Sequence, residues 1–299
     1  MANDFTNETG TTPAQTMQNE PRKHHYIPIF YSKQWCDAAG KMVRFTREHG
    51  ACIDRRKPPA AVGWEHDLYR MPGEEGAGAQ RLEARFFSQL DDRAAVVLRK
   101  LLATPSANLD ELDVGHWSMF MRSLLHRSPT RLDEYRKSGI AIWWEIVRNA
   151  ADRYNEMRSA ADPLTHAEYL ASRTETEGAA AVIENMPHLL AGHRVLAAFA
   201  RAPWASYDVP ASCPSLLLSD APIVMTNGFD VPGGHIAMPV SPTRFIVISR
   251  DSKTALDIDR VPVKLLAKGL NDGVVRQARH FVAAIDTSQK RFIDNRFTC

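Results

Sequence analysis

Cysteine is scarce, and neither sign of charge is in excess. The 299-residue chain has four cysteines, Cys36, Cys52, Cys213 and Cys299, with no C-x-x-C pair and no zinc-finger spacing, which argues against a structural zinc site. Lys and Arg number 37 against 35 Asp and Glu, a net charge of +2, too balanced for global charge to announce a nucleic-acid binder. A membrane-spanning run of about 18 apolar residues is missing; the stretch 189–200 is interrupted by Gly192, His193 and Arg194. The first 20 residues are rich in Thr, Asn and Gln and have no basic segment followed by an apolar one. A soluble, cytoplasmic protein with reduced thiols is therefore expected, without a secretory signal. The Gly-rich stretch 71–79 lacks the spacing and the Lys of a phosphate-binding loop, and no G-x-S-x-G surrounds Ser219 or Ser241, which removes two common catalytic frameworks.

What is present is apolar residue in quantity, 44% of the chain, enough for a sizeable core without staples. Charge is also unevenly placed. Residues 1–20 carry only Asp4, Glu8 and Glu20, whereas residues 21–70 hold ten Lys or Arg against five Asp or Glu. The front of the folded part is thus basic, which suits an anionic substrate.

Apolar residues recur at helical spacing over about 82–101 and 109–125, and helices are further expected over about 132–158, 175–200 with a break at Pro187, and 263–279. Alternation predicts a hairpin through Glu48-His49-Gly50, residues 55–63 read as loop, and short β-rich runs follow Pro203. Segregated helices and strands predict an α+β fold: a central helical bundle packed on a mostly antiparallel C-terminal sheet able to take in the N-terminal hairpin. The expected organisation is a disordered tail over 1–21, then one domain over 22–299 with a helical block at about 80–200 and a sheet-rich part at about 203–295.

Four places could carry chemistry. Lys23-His24-His25-Tyr26-Ile27-Pro28 precedes a short helix; imidazole titrates near pH 6.5, so His24 and His25 suit general acid and base roles, with Tyr26 contacting a substrate anion. Arg127, at the end of the second central helix, lies beside its apolar face and needs a partner, either a carboxylate or a ligand anion. Asp220 follows an apolar strand and is mounted at a rigid strand end. Asn271 shares a helical face with Val263, Ala267, Val274 and Val275, so its amide must find partners: it fixes the helix to the sheet, or it binds substrate. Glu83 reads as surface charge, and the Trp143-Trp144 pair as core packing.

In this order these pieces resemble a mainly bacterial family catalogued as domain of unknown function 4238. The resemblance rests on His24-His25-Tyr26-x-Pro28, Leu82-Glu83, Arg127-x-Pro129, Ser219-Asp220-x-Pro222, Pro239-Val240-Ser241-Pro242 and Asn271, and covers about residues 22–295. Ala221 stands where similar sequences often have Asn, and Val240 where they commonly have Leu. The resemblance implies no activity; it implies that these scattered polar positions form a recurring set.

The leading expectation is a hydrolase or transferase acting on an anionic substrate of phosphodiester or nucleotide type, a phosphodiesterase or nuclease-like enzyme. His24, His25 and Asp220 are its expected catalytic residues, and Tyr26, Arg127 and Asn271 its expected substrate-binding ones. A divalent metal is chemically compatible with a His, His, Asp set but gains no support from spacing. The expected partner is an anionic small molecule or nucleic acid, not a membrane. The alternative is a non-catalytic binding or regulatory protein whose His, Arg, Asp and Asn set is a structural polar network.

Overall fold

A computed structural model describes residues 22–103 and 109–298; the expected tail over 1–21 lies outside them. The fold is α+β, with antiparallel sheets and a helical middle. Strand β1 (Lys23–His25) pairs with β4 (Trp64–His66) as a separate two-stranded ribbon. The hairpin β2 (Met42–Glu48) and β3 (Ala51–Lys57) continues through β10 (Val282–Ala284) to β6 (Leu218–Ser219), in the order β3-β2-β10-β6. A second sheet runs β5 (Trp204–Asp208), β9 (Arg244–Ser249), β8 (His235–Ser241) and β7 (Val224–Thr226). The hairpin turn is built by His49 and Gly50, both at positive φ, 51° and 82°, the backbone that a two-residue turn needs to match strand twist.

The helical middle comprises Ser88–Ala103, Glu111–His126, Pro129–Asn149, Glu175–Leu190 and His193–Arg201. Asp110 caps the second of these by accepting the Asp113 N–H at 2.8 Å, and Ser128 caps the third with Pro129 in its first turn. Such caps satisfy amides that have no helical partner. Among the described residues no helix is long and apolar enough to cross a membrane.

Several boundaries differ from the sequence reading. Residues 55–57 belong to β3, and two further helices, Ser252–Asp259 and Lys290–Asp294, flank the helix Val263–Arg276. Pro187 stays inside its helix; the chain breaks after Leu190, where the Arg122 guanidinium donates to the Leu189 and Gly192 carbonyls. Trp143 and Trp144 are only half-buried and are not core residues as expected.

The N-terminal segment is fastened to the core. Ile27, Tyr31 and Trp35 are fully buried, each worth roughly 1.5–3 kcal/mol in apolar burial. The Trp35 indole N–H donates to the Leu216 carbonyl at 2.8 Å, and the Tyr31 hydroxyl donates to the Pro239 carbonyl. Gly63, at φ 64°, accepts the Ile27 N–H at 3.0 Å, and a Cβ there would stand 2.6 Å from the Ile27 Cβ. Together these contacts hold the histidine segment in one place.

Candidate active site

The two adjacent histidines sit on strand β1, so their side chains point to opposite faces. His24 turns inward. It is fully buried, its Nδ1 accepts the Tyr69 N–H at 2.9 Å, and its ring stacks on the Tyr69 ring at 5.4 Å. The Tyr69 hydroxyl in turn donates to the Arg127 carbonyl at 2.6 Å. His24, Tyr69 and Arg127 thus form one buried chain of contacts.

His25 faces the other way and is half-buried. Its ring is hydrogen-bonded to the Ala60 backbone, while its Nε2 is buried without a partner among the described residues. Bonding to a carbonyl requires the proton on Nδ1, which leaves Nε2 with the lone pair. Burial lowers the His25 pKa, the Ala60 bond opposes this, and Lys23, Arg127 and His24 lower it further. The ring is therefore a neutral base near pH 7.

Arg127 owes its position to two abutting helices. It caps Glu111–His126, and the extended Ser128 before Pro129 opens the next helix at once, since a residue preceding proline avoids helical backbone. Its side chain has no exposed surface and lies over the Phe87 and Phe120 rings at 5.4 and 5.6 Å. Nη1 donates to Asp91 at 3.0 Å. Nε and Nη2 are buried with no partner among the described residues, although they form the edge of the guanidinium that best grips two oxygens.

Glu83 is the residue that sequence reasoning misassigned. It lies in a π-helical turn, Leu82–Phe87, that leads into Ser88–Ala103, half-buried and not on the surface as expected. Its Oε2 is buried and has no partner among the described residues. Burial raises its pKa from 4.5 to about 7, with Arg127 pulling down and Asp91 pushing up. The usable signal was its place one residue after Leu82 at the start of a strongly apolar helix.

The remaining expected residues lie elsewhere. Asp220 is 3% exposed and accepts the Arg279 N–H at 3.0 Å and the Phe281 N–H at 3.3 Å. Burial pushes its pKa up, and the N–H groups of residues 279–281 pull it back. It borders a cleft of about 530 Å³ shared with Ser128, Thr130, Arg131, Gln277 and Arg279; none of His24, His25, Arg127 and Asn271 lines that cleft. Tyr26 lies beside the 279–281 segment, its ring 6.2 Å from that of His280, whose Nε2 is 3.3 Å from the Thr130 hydroxyl. Burial first, and then Asp220, keep the Tyr26 hydroxyl protonated. Asn271 is not brought to any of these groups. Its Oδ1 accepts the Leu217 N–H at 2.8 Å and its Nδ2 donates to the Ser215 carbonyl at 2.9 Å, so the amide is consumed in holding the last long helix to the segment 215–217 that leads through β6 to Asp220.

Residues 23–288 match the model of a family described as Protein of unknown function (DUF4238). The chain belongs to this family. No curated protein and no solved structure matches it. Among the described residues of this DUF4238 chain, no three His, Cys, Asp or Glu side chains come together in a way that could hold a metal ion. What these residues offer is a buried guanidinium with an unpaired edge, an imidazole whose pKa burial lowers and a carboxyl whose pKa burial raises to about 7.

Proposed function

We propose that the protein is a hydrolase or transferase acting at an anionic phosphodiester-type group, with Arg127 gripping the anion and His25 serving as general base. The observation that carries this reading is the unpaired Nε and Nη2 edge of a wholly buried guanidinium. A buried donor without a partner costs on the order of 1–3 kcal/mol, more when charged, and a phosphate or carboxylate on that edge would recover it. His25 Nε2 supplies the lone pair to take a proton from an attacking water or hydroxyl.

The other residues divide by what already occupies them. His24 is a positioning residue: its Nδ1 is engaged by Tyr69, which holds the Arg127 carbonyl. Asp220 positions the 279–281 segment, and Tyr26 borders it, so both act through their neighbours. Asn271 is a clamp. A second reading, a non-catalytic polar network, is favoured by the closed His24-Tyr69-Arg127 chain, yet it leaves the open edge of Arg127 unexplained.

Hydrolysis of bis(p-nitrophenyl) phosphate separates the two. Turnover by the wild-type protein that falls about 100-fold or more in His25→Ala and in Arg127→Lys supports catalysis, in line with the usual worth of a positioned base. Turnover absent from the wild type, or equal in both variants, favours the network.

A further inference from the structure

We propose a second binding site, separate from Arg127 and independent of the reading above. A cavity between the helix Val263–Arg276 and the segments 213–214 and 288–292 takes a small molecule that carries a carboxylate or phosphate on an apolar body. Its volume is about 330 Å³, at the small end of the range for small-molecule sites. None of His24, His25, Arg127 and Asp220 lines it.

Charge is the first observation. Lys264 and Lys268 border the cavity, and no Asp or Glu does. They lie four residues apart on one helix, where like charges repel, and Lys264 stands in the first turn, where the helix dipole disfavours a cation. Asp272, one turn beyond Lys268, is already taken: it accepts from Arg276 at 2.7 Å and from Arg296 at 2.6 Å. Asp286 is engaged as well, accepting the Ser288 N–H at 2.9 Å and the Ser288 hydroxyl at 2.5 Å. Neither lysine has an ion pair among the described residues. An anion held between the two ammonium groups offsets both their repulsion and the dipole cost.

The lining of the cavity supplies the second. Asn271 and Gln289 are only 4% and 8% exposed, and both border the space. Their amides are locked by a shared acceptor, the Ser215 carbonyl, at 2.9 and 2.8 Å. Among the described residues the Gln289 Oε1 accepts only the Asn271 Nδ2, at 3.4 Å; a carbonyl oxygen has two lone pairs, so one is left for a hydroxyl or N–H of the ligand. Ala267 and Phe292 provide apolar surface, and the Arg296 guanidinium, 4.0 Å from the Phe292 ring, holds that ring in place. The site is thus formed before any ligand arrives.

The ligand class follows from this layout. Lysine is a point charge without the planar fork of arginine, so charge and apolar bulk set the preference, and a carboxylate and a phosphomonoester share the chemistry. A bare inorganic anion meets only exposed lysines, whose attraction solvent and salt screen, and it leaves the apolar wall unused.

Calorimetric titration of naphthoate, naphthyl phosphate and neutral naphthol into the full chain tests the proposal, together with iodoacetamide labelling of Cys213, which borders the cavity, read by peptide mass spectrometry. At least one of the two acids should bind saturably, about 10-fold or more tighter than naphthol, and should slow the labelling of Cys213. The double variant Lys264→Gln/Lys268→Gln, altered only at exposed positions, should weaken that acid about 10-fold or more and leave naphthol unchanged. Binding of one acid and not the other supports the site and names the acid group. Binding of neither acid, an affinity no better than that of naphthol, or binding that survives the double variant with Cys213 labelled at its unliganded rate would overturn the proposal. Displacement of naphthoate by inorganic phosphate would overturn it too, by assigning the acid to Arg127.

Discussion

Replacing Glu83 with Gln should stabilise the protein progressively as the pH rises. The folded-state pKa of Glu83 is raised, from 4.5 to about 7, so between those values the folded protein holds a proton that the unfolded chain has released. Stability is therefore lost as pH rises through this window, by linkage. With about 1.36 kcal/mol for each unit of pKa, the penalty comes to about 1 kcal/mol at pH 5 and about 3 kcal/mol at pH 8. Gln keeps the shape and cannot ionise, so it removes the penalty. Its fixed effect on packing is the same at every pH and cancels when the variant is compared with wild type across the series. Urea unfolding of both proteins at pH 5, 6, 7 and 8 should show the difference in free energy widening in favour of Glu83→Gln by about 2 kcal/mol from the lowest to the highest pH. A difference that stays constant, or that moves the other way, would refute both the burial of this carboxyl and its protonation near neutrality. The expected gain also follows a common pattern, in which a group held in an unfavourable state for function costs stability.

Two further variants separate positioning from chemistry. Asn271→Ala leaves the Leu217 N–H and the Ser215 carbonyl without their amide partner and should cost about 2–3 kcal/mol of unfolding free energy, with phosphate binding unchanged in the folded protein. Asp220→Ala removes the acceptor for the Arg279 and Phe281 N–H groups; it should lower the melting temperature and raise hydrogen exchange at residues 279–281, read by mass spectrometry.

Much of this architecture is legible in the sequence, and the unread parts have physical reasons. Alternation around Val43 and Phe45 with a His-Gly turn marks the hairpin, because two-residue turns demand residues that tolerate positive φ. Asn271 stands out as an amide on an apolar helical face, and its partners prove to be backbone groups of the segment 215–217 that leads into β6. Arg127 is legible as a cation beside an apolar face, though not that half of its guanidinium is left open. Strands β1 and β4 are three residues each, too short for a period of two to register. Glu83 escaped for a different reason: a helical period assigns Phe86 to the core, but the π turn inserts extra residues per turn, and Phe87 is the fully buried ring. The bonds from Tyr69 to His24 and to the Arg127 carbonyl are long-range and have no local signature at all.

The central claim is that the open edge of Arg127 is an anion site. Calorimetric titration of inorganic phosphate into the wild-type protein and into Arg127→Lys, at matched ionic strength, tests it most directly. Lys keeps a charge for Asp91 but loses the planar fork, so the account predicts saturable single-site binding to the wild type that weakens about 10-fold or more in the variant, the worth of one charged hydrogen bond. Equal affinity in both proteins, or no binding to the wild type, would contradict it.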